Sequence, residues 1–297
     1  MTPRSKVTIF IIAVFALFFA IGNGLSSLWR TGGLMTGGLF SPRNAGVYLL
    51  LGVDARGGET ASRSDTIILL FLHPRTNTVD LLFVPRDSRV WIEGEDFQRK
   101  INYAHSKGGV ELLQETLEQQ LGVSIEGFVE VDFEGFRQAI DTLGGVEIEV
   151  EEKMYYPEEG IDIRPGKQVL NGYDSLGYVR YRSDGRGDIG RIERQKYFLR
   201  ELVRQSMSLK NLVKSPQVLE ELIQYTKTDL TVGEIMRVAG QFAGPVEINT
   251  HTLPGKPQMI NGGSYWVIDE KQTRILIDKL VSGEGTEEEN EGAGSSS

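Results

Sequence analysis

The chain has 297 residues, no cysteine, three histidines and a formal net charge of -9. The absence of cysteine excludes disulfide bonds, thiolate catalysis and cysteine-ligated zinc. The negative charge argues against a general nucleic-acid-binding protein, while 40% hydrophobic residues can fill a substantial core.

An uncharged apolar stretch lies close to the N-terminus. It covers residues 7–29, shortly after Arg4 and Lys6, and reaches the roughly 20 residues that a membrane-spanning helix needs. Because the positive residues come first, we expect the N-terminus in the cytoplasm and the body of the protein outside the membrane. A cleaved signal peptide, with a weak cleavage site near Ala20, is the alternative to an uncleaved anchor.

Composition divides the chain into four predicted regions. Residues 1–30 would form the cytoplasmic N-terminus and transmembrane anchor, and the glycine-rich residues 31–46 a linker. Residues 282–297 are acidic and lack large apolar side chains, which is typical of a disordered tail. One extracytoplasmic domain remains, at 47–281.

Short apolar runs begin this domain. The runs at 47–54, 66–72 and 79–87 are almost continuously apolar, which predicts strands that are buried on both faces. Shorter strands are predicted at 128–133 and 146–150.

Amphipathic stretches follow and alternate with the strands. Helices are predicted at 108–122, at 132–145 and from Ile189 to Lys210. The apolar stripe predicted for the last helix consists of Ile192, Leu199, Leu202, Val203 and Met207. Asp132 is the expected N-cap of the second helix, and Gly144 its expected stop. This alternation predicts an α/β sandwich.

Charged residues stand where the first three strands begin or end. If those strands run up, down and up, then Asp54, Asp65 and Arg86 share one edge of the sheet, and the first loop adds Arg56 and Arg63. Active sites of open α/β sheets usually lie at such strand ends. For any one of these residues alone, a structural role would be the simpler interpretation.

Arginine is concentrated in the stretch YVRYRSDGRGDIGRIERQ, from Tyr178 to Gln195. A solvated run of charges is one interpretation, and an anion site is the other. Arg191 and Arg194 are three residues apart near the start of the predicted helix, where an anion is favoured. Guanidinium groups bind phosphate oxygens in bidentate fashion. Two carboxylates without histidine or cysteine favour Mg²⁺, so the whole set predicts a phosphate or pyrophosphate substrate.

Several short motifs follow one another along the chain. They are LGVDAR (51–56), RSDTIILL (63–70), VPRDSRV (84–90), KINYAHSKGG (100–109), LGGVEIEV (143–150), the arginine stretch, KTDLT (227–231) and GGSYW (262–266). In this order they resemble the motifs of the LytR-CpsA-Psr family of cell-wall enzymes. The resemblance covers essentially all of 47–281, and the family also has one N-terminal transmembrane helix.

The resemblance implies an α-β-α sandwich around a mixed central sheet, with a phosphotransferase activity. Such an enzyme would move a glycopolymer from a polyprenyl-pyrophosphate carrier to a peptidoglycan hydroxyl and leave a phosphodiester bond. It implies Mg²⁺ at Asp54 and Asp65. Catalytic residues would be Asp65, Arg86, Arg182 and Arg194. Residues facing the pyrophosphate would be Arg63, Arg86, Arg180, Arg182, Arg186, Arg191, Arg194 and Gln195.

Three other functions stay open from the sequence. Water could replace the sugar hydroxyl, which would make the protein a polyprenyl-pyrophosphate hydrolase. A membrane-anchored module could bind anionic polymer without catalysis, although such a module would need only the arginines and not both aspartates. Transcriptional regulation, an older description of the family, fits poorly because an anchored domain outside the membrane cannot reach DNA.

Overall fold

The computed structural model shows one central sheet with helices and smaller strand pairs around it. It describes residues 46–53, 64–181, 194, 197–198, 200–202, 205, 224–242 and 246–283, without the side chains of Asp65, Met236 and Ala239. The predicted anchor and nearly all of the predicted linker and tail lie outside these residues. Among the helices in this described part, none has both the length and the apolar character needed to cross a bilayer.

In the described part of the chain, the central sheet has six strands in the order β11-β6-β1-β2-β3-β12. Its strands are β1 (Gly46–Val53), β2 (Ser64–His73), β3 (Thr78–Val84), β6 (Phe128–Val131), β11 (Lys227–Thr228) and β12 (Glu247–Thr252). Strand β2 is antiparallel to β1 and β3, whereas β6 is parallel to β1 and β12 to β3. The sheet is therefore mixed, as the family resemblance implies.

Smaller elements surround the sheet. Two-stranded pairs are formed by β4 (Arg89–Val90) with β5 (Arg99–Lys100), β7 (Val146–Val150) with β10 (Gly166–Leu170), β8 (Met154–Tyr156) with β9 (Ile161–Ile163), and β13 (Gly255–Ile260) with β14 (Gly263–Ile268). Helices with described bounds are α1 (Asn102–Leu121), α2 (Phe133–Thr142), α3 (Gly172–Arg180), α4 (Val232–Ala239) and α5 (Glu270–Ser282), with a 3-10 turn at Pro157–Glu159. The described residues between 194 and 205 are also helical.

The first three strands are buried on both faces, as their continuous apolar runs predict. The consecutive residues Leu69, Leu70 and Phe71 all have 0% exposure. Successive side chains of a strand point to opposite faces, so both faces of the sheet are covered. Each such side chain contributes about 1.5–3 kcal/mol to stability when it is buried.

The third strand ends earlier than its sequence pattern predicts. It stops at Val84 rather than at Asp87. Pro85 has no N–H to donate to a neighbouring strand, and the N–H of Ser88 donates to the Pro85 carbonyl at 2.8 Å. The chain therefore leaves the sheet in a tight turn that contains Arg86.

Helix α2 begins after the predicted N-cap, Asp132, and ends at Thr142, two residues before the predicted stop at Gly144. The Asp132 carboxylate accepts a hydrogen bond from the Gly135 N–H at 2.8 Å, which satisfies a donor in the first turn of the helix. This cap is also why β6 ends at Val131 rather than at Phe133. Beyond the other end, Gly144 has a φ of 82°, a conformation that glycine adopts most easily.

Helix α1 starts earlier than predicted and is kinked. It begins at Asn102, but Gly108 and Gly109 have non-helical backbone angles. The sequence pattern from residue 108 therefore predicts only the part of the helix after this kink.

Helix α3 is not predicted by the sequence pattern, although it leads directly into the arginine stretch. Its first residue, Gly172, donates its N–H to the Asp141 carboxylate at 2.7 Å. A β-carbon at Gly172 would lie 2.2 Å from the Arg137 carbonyl oxygen, so the close contact between α2 and α3 requires glycine. This contact determines where the end of α3, at Arg180, lies.

Candidate active site

Four strand ends meet at one edge of the central sheet. The last residue of β1, Val53, pairs with Ser64 at the start of β2. Val84 at the end of β3 pairs with Ile67, and Val131 at the end of β6 pairs with Gly52. This arrangement confirms the predicted up, down and up course of the first three strands. We refer to this end of the four strands, where β1, β3 and β6 finish and β2 begins, as the site edge.

Both predicted metal ligands belong to this edge by their position in the chain. Asp65 is the second residue of β2, and Asp54 directly follows Val53 at the end of β1. Val53 and Ser64 are paired. Asp54 is the next residue after Val53, and Asp65 is the next residue after Ser64. Asp54 and the Asp65 side chain lie outside the described part of the chain, so metal binding by them stays a prediction.

Arg86 lies at the site edge, in the turn that ends β3. Its carbonyl accepts a hydrogen bond from the Asn102 N–H at 3.2 Å, which ties the turn to the start of α1. Its side chain is 16% exposed, and its Nε lies 4.0 Å from Asp87 Oδ2. The guanidinium is therefore mostly enclosed but keeps a path to solvent.

A second set of contacts stabilises the same turn through Asp87, the residue after Arg86. Lys100 Nζ lies 2.6 Å from Asp87 Oδ1 and 5.4 Å from the centroid of the Tyr265 ring. The Asp87 carbonyl accepts a hydrogen bond from the Trp266 N–H at 2.9 Å. Residues of the motifs KINYAHSKGG and GGSYW thus meet at the turn that contains Arg86, a contact that the sequence does not predict.

Arg180 lies near the end of β6. Its Cζ is 5.3 Å from the ring centroid of Phe133, two residues beyond the end of that strand. Its Nη2 is 2.8 Å from Glu159 Oε2. A carboxylate of the protein thus already neutralises part of the Arg180 charge, and the predicted phosphate contact of this residue stays a prediction.

Arg194 is enclosed by the fold. It is 2% exposed, its Nη2 donates to the Tyr181 carbonyl at 2.5 Å, and its Cζ lies 5.5 Å from the centroid of the Tyr181 ring. Nearby, burial and the carboxylate of Glu151 raise the pKa of Tyr178 well above its usual range. The Tyr178 hydroxyl therefore stays protonated and can donate to Glu151, 3.2 Å away.

The remaining predicted residues lie outside the described part of the chain. They are Arg56, Arg63, Arg182, Arg186, Arg191 and Gln195. Within the described part, no group of three or more histidine, aspartate or glutamate residues is arranged to hold a metal ion. The structure thus places Arg86 in the turn at the end of β3 and Arg180 near the end of β6, and it buries Arg194 against Tyr181.

An α/β domain with a mixed six-stranded sheet, and with arginines near one edge of it, is an architecture suited to binding an anion. The chain belongs to the LytR_cpsA_psr family, whose model matches residues 39–281.

Relatives with assigned activities and solved structures support this membership. The polyisoprenyl-teichoic acid–peptidoglycan teichoic acid transferase TagU of Bacillus subtilis (strain 168) is 34% identical over 234 residues, which are 78% of this chain and 76% of TagU. The crystal structure of B. subtilis TagV aligns with a TM-score of 0.68 and 29% identity, over 81% of this chain and 98% of that one. A structure of TagT bound to LIIa-WTA aligns with a TM-score of 0.66 and 25% identity, over 82% of this chain and 92% of that one.

Proposed function

We propose that this protein transfers a glycopolymer of the teichoic acid class from a polyprenyl-pyrophosphate carrier to a hydroxyl group of peptidoglycan. The similarity to TagU over 78% of the chain carries the proposal. The placement of Arg86 and of two aspartate positions at one edge of the sheet supports it, because phosphate transfer needs cations and a base close together.

The reaction exchanges the phosphoanhydride bond of the pyrophosphate for a new phosphate ester bond. The acceptor oxygen attacks the phosphorus that carries the glycopolymer, and a new P–O bond forms. The bond from that phosphorus to the bridging oxygen breaks, and polyprenyl phosphate leaves with the electron pair. The hydroxyl proton needs an acceptor, and Asp65 at the start of β2 is the proposed base.

Arginine side chains would bind the pyrophosphate and balance the charge that develops on the leaving group. Arg86 is fixed by its turn, and a mostly enclosed guanidinium acts more strongly than one in open water. Arg63, Arg180, Arg182, Arg186, Arg191 and Gln195 are proposed to contribute further contacts.

Two carboxylates at neighbouring strand ends suit a magnesium ion, which prefers oxygen ligands. Asp54 directly follows Val53 in the chain, Asp65 directly follows Ser64, and Val53 pairs with Ser64, which supports these two aspartates as the proposed ligands. When bound, the ion would neutralise charge on the phosphate groups.

The proposed position of the enzyme is the outer face of the cell membrane. The uncharged residues 7–29, which follow Arg4 and Lys6, would anchor the domain next to its lipid-linked substrate. Protease added to intact cells without a wall should then digest the body of the protein. Complete protection of the body would contradict this topology.

A reconstituted reaction tests the proposed function. Full-length protein in detergent is given lipid-linked glycopolymer and peptidoglycan fragments, and the products are separated by mass spectrometry. We expect a peptidoglycan fragment joined to the polymer by a phosphodiester, together with polyprenyl phosphate. Polymer ending in a free phosphate, formed equally without peptidoglycan, would show a hydrolase, and bound but unchanged substrate would show a binding module.

A further inference from the structure

We propose that Arg194 is a positioning residue, which fixes the backbone at Tyr181 and thereby aligns the arginines that lie between these two residues in the chain. In this role it does not itself bind phosphate. The proposal rests on the proposed function, since Arg182, Arg186 and Arg191 are candidate ligands of the pyrophosphate. It changes the catalytic role that the sequence alone predicts for Arg194.

The burial of Arg194 is the first observation. It is the largest of the fully buried side chains in the described part of the chain, at 2% exposure. A buried charge is costly unless it is hydrogen-bonded, and the Tyr181 carbonyl supplies an acceptor at 2.5 Å. To reach a substrate phosphate, the guanidinium would have to give up this bond and its contact with the Tyr181 ring.

The helical residues after Arg194 hold it in this place. Phe198, four residues later, is 0% exposed, and side chains four apart lie on the same face of a helix. The Phe198 ring centroid lies 6.1 Å from that of Phe136 in α2 and 6.2 Å from that of Tyr178 in α3. Arg194 is thus attached to the packed core that joins these two helices.

The acceptor, Tyr181, lies between the end of α3 and Arg182. It is the C-cap of α3, where its N–H donates to the Gly177 carbonyl, and Arg182 follows it directly. The last carbonyls of a helix lack partners within the helix, and a cation near that end is favoured. One side chain therefore joins the residues on either side of 182–193, and in this proposal that link is what aligns Arg182, Arg186 and Arg191.

A double-mutant cycle tests this role through binding rather than turnover. Full-length protein in detergent is titrated with geranyl pyrophosphate, using wild type, Arg182→Ala, Arg194→Gln and the double variant. Each single change should weaken binding by about tenfold to a hundredfold. If Arg194 acts through its neighbours, the double variant should lose much less than the product of the two single losses. A loss equal to that product would overturn the proposal.

Trypsin digestion without ligand supplies a second measurement. Arg194→Gln should speed cleavage after Arg182, Arg186 and Arg191 several-fold and leave the rest of the domain unchanged. Arg200→Gln is the matched control, because Arg200 is exposed on the same helical segment. An unchanged cleavage rate in Arg194→Gln would overturn the proposal, since a residue that only binds phosphate does not order the ligand-free chain.

The two tests separate this proposal from the proposed function. If wild type does not bind geranyl pyrophosphate, the proposed function fails, and the digestion alone decides about Arg194. If Arg194→Gln does not fold, Arg194→Lys takes its place in both measurements, because lysine keeps one donor and the charge but not the planar fork. It should then give intermediate losses and intermediate cleavage, and wild-type cleavage combined with lost binding would contradict the positioning role.

Discussion

Two regions of the central sheet carry charge in different ways. Within the strands, Asp80 lies between two histidines: His251 Nε2 is 2.8 Å from its Oδ1, and His73 Nε2 is 3.2 Å from its Oδ2. All three residues come from strands of the sheet, and His73 and Asp80 are buried. At the site edge, Arg86 instead lies in a turn outside the strands, enclosed but with a path to solvent.

This difference indicates different tasks. The histidine cluster, which we define as His73, Asp80 and His251, satisfies its carboxylate with side chains of the sheet itself and should serve stability. The site edge carries a cation, Arg86, and two carboxylate positions whose charges a bound ligand can neutralise. Changes at the site edge should therefore reduce activity without unfolding the protein, and changes in the cluster should do the reverse.

The largest effect on activity is expected from the two aspartates. Asp54→Ala and Asp65→Ala should each abolish transfer while the thermal unfolding temperature stays close to that of wild type, because each change removes a proposed ligand of magnesium. Excess EDTA should have the same effect on wild type, and added Mg²⁺ should reverse it. Asp162→Ala, at an exposed position in β9, is the control. Full transfer by metal-stripped protein in EDTA would rule out the metal.

Arg86→Lys should be the next most damaging change at the site edge. Lysine keeps the charge but lacks the planar fork that matches a phosphate, and the loss of one fixed donor costs about 3 kcal/mol, or roughly a hundredfold in rate. The initial rate of transfer measures this loss, with Arg75→Lys, an exposed residue near the histidine cluster, as the control. Equal rates for the two variants would show that Arg86 needs only its charge.

Within the histidine cluster, Asp80→Asn should reduce stability and spare activity. It removes the charge that the two imidazoles surround, and hydrogen bonds to a charged group contribute about 1.5–3 kcal/mol. Chemical denaturation of wild type, Asp80→Asn and the exposed control Asp162→Asn measures the free energies of unfolding. A loss of transfer without a loss of stability in Asp80→Asn would contradict the division of tasks between the two regions.

The same carboxylate predicts a dependence of stability on pH. Burial alone would raise the pKa of Asp80, but the hydrogen bonds and charges of His251 and His73 lower it from 3.8 to about 2. A depressed pKa stabilises the fold above the unfolded value, and this contribution is lost as the pH falls from 3.8 towards 2. The difference in unfolding free energy between wild type and Asp80→Asn should therefore shrink over this interval. A constant difference would contradict the lowered pKa.

The sequence predicts those parts of the fold that depend on local pattern. Strands β1 to β3 follow from continuous apolar runs, and the meeting of their ends follows from two short connections. The cap of α2 at Asp132 and the glycine after its end follow from local chemistry as well. The early end of β3 also has a local cause, because Pro85 has no N–H to donate to a neighbouring strand.

What the sequence does not predict depends on contacts between distant residues. The position of helix α3 depends on the contact of Gly172 with Arg137. Arg180, at the end of α3, pairs with Glu159 of the 3-10 turn. Arg194 is the clearest case, because an arginine in a basic stretch suggests an exposed ligand. The predicted apolar stripe of its helix (Ile192, Leu199, Leu202, Val203 and Met207) includes the buried Leu202 but omits Phe198, whose burial places Arg194 on the inner face.

The smallest effect at the site edge is expected from Lys100→Met, which removes the ion pair with Asp87 but keeps a long apolar side chain. Both partners are partly exposed, at 29% and 38%, and such pairs contribute about 0–1 kcal/mol. The bonds from Asn102 to Arg86 and from Trp266 to Asp87 use main-chain atoms, so they survive the change. Transfer should fall by no more than about fivefold.

A matched control sharpens this last prediction. Lys167 forms a comparable exposed pair with Glu147, at 3.1 Å, between β7 and β10, and Lys167→Met should leave transfer unchanged. In an Arg86→Lys background, Lys100→Met should have no further effect on transfer, because its influence passes through the orientation of Arg86. If Lys100→Met instead reduces transfer as much as Arg86→Lys does, Lys100 contacts the substrate itself, and the site edge extends further along β5 than the strand ends indicate.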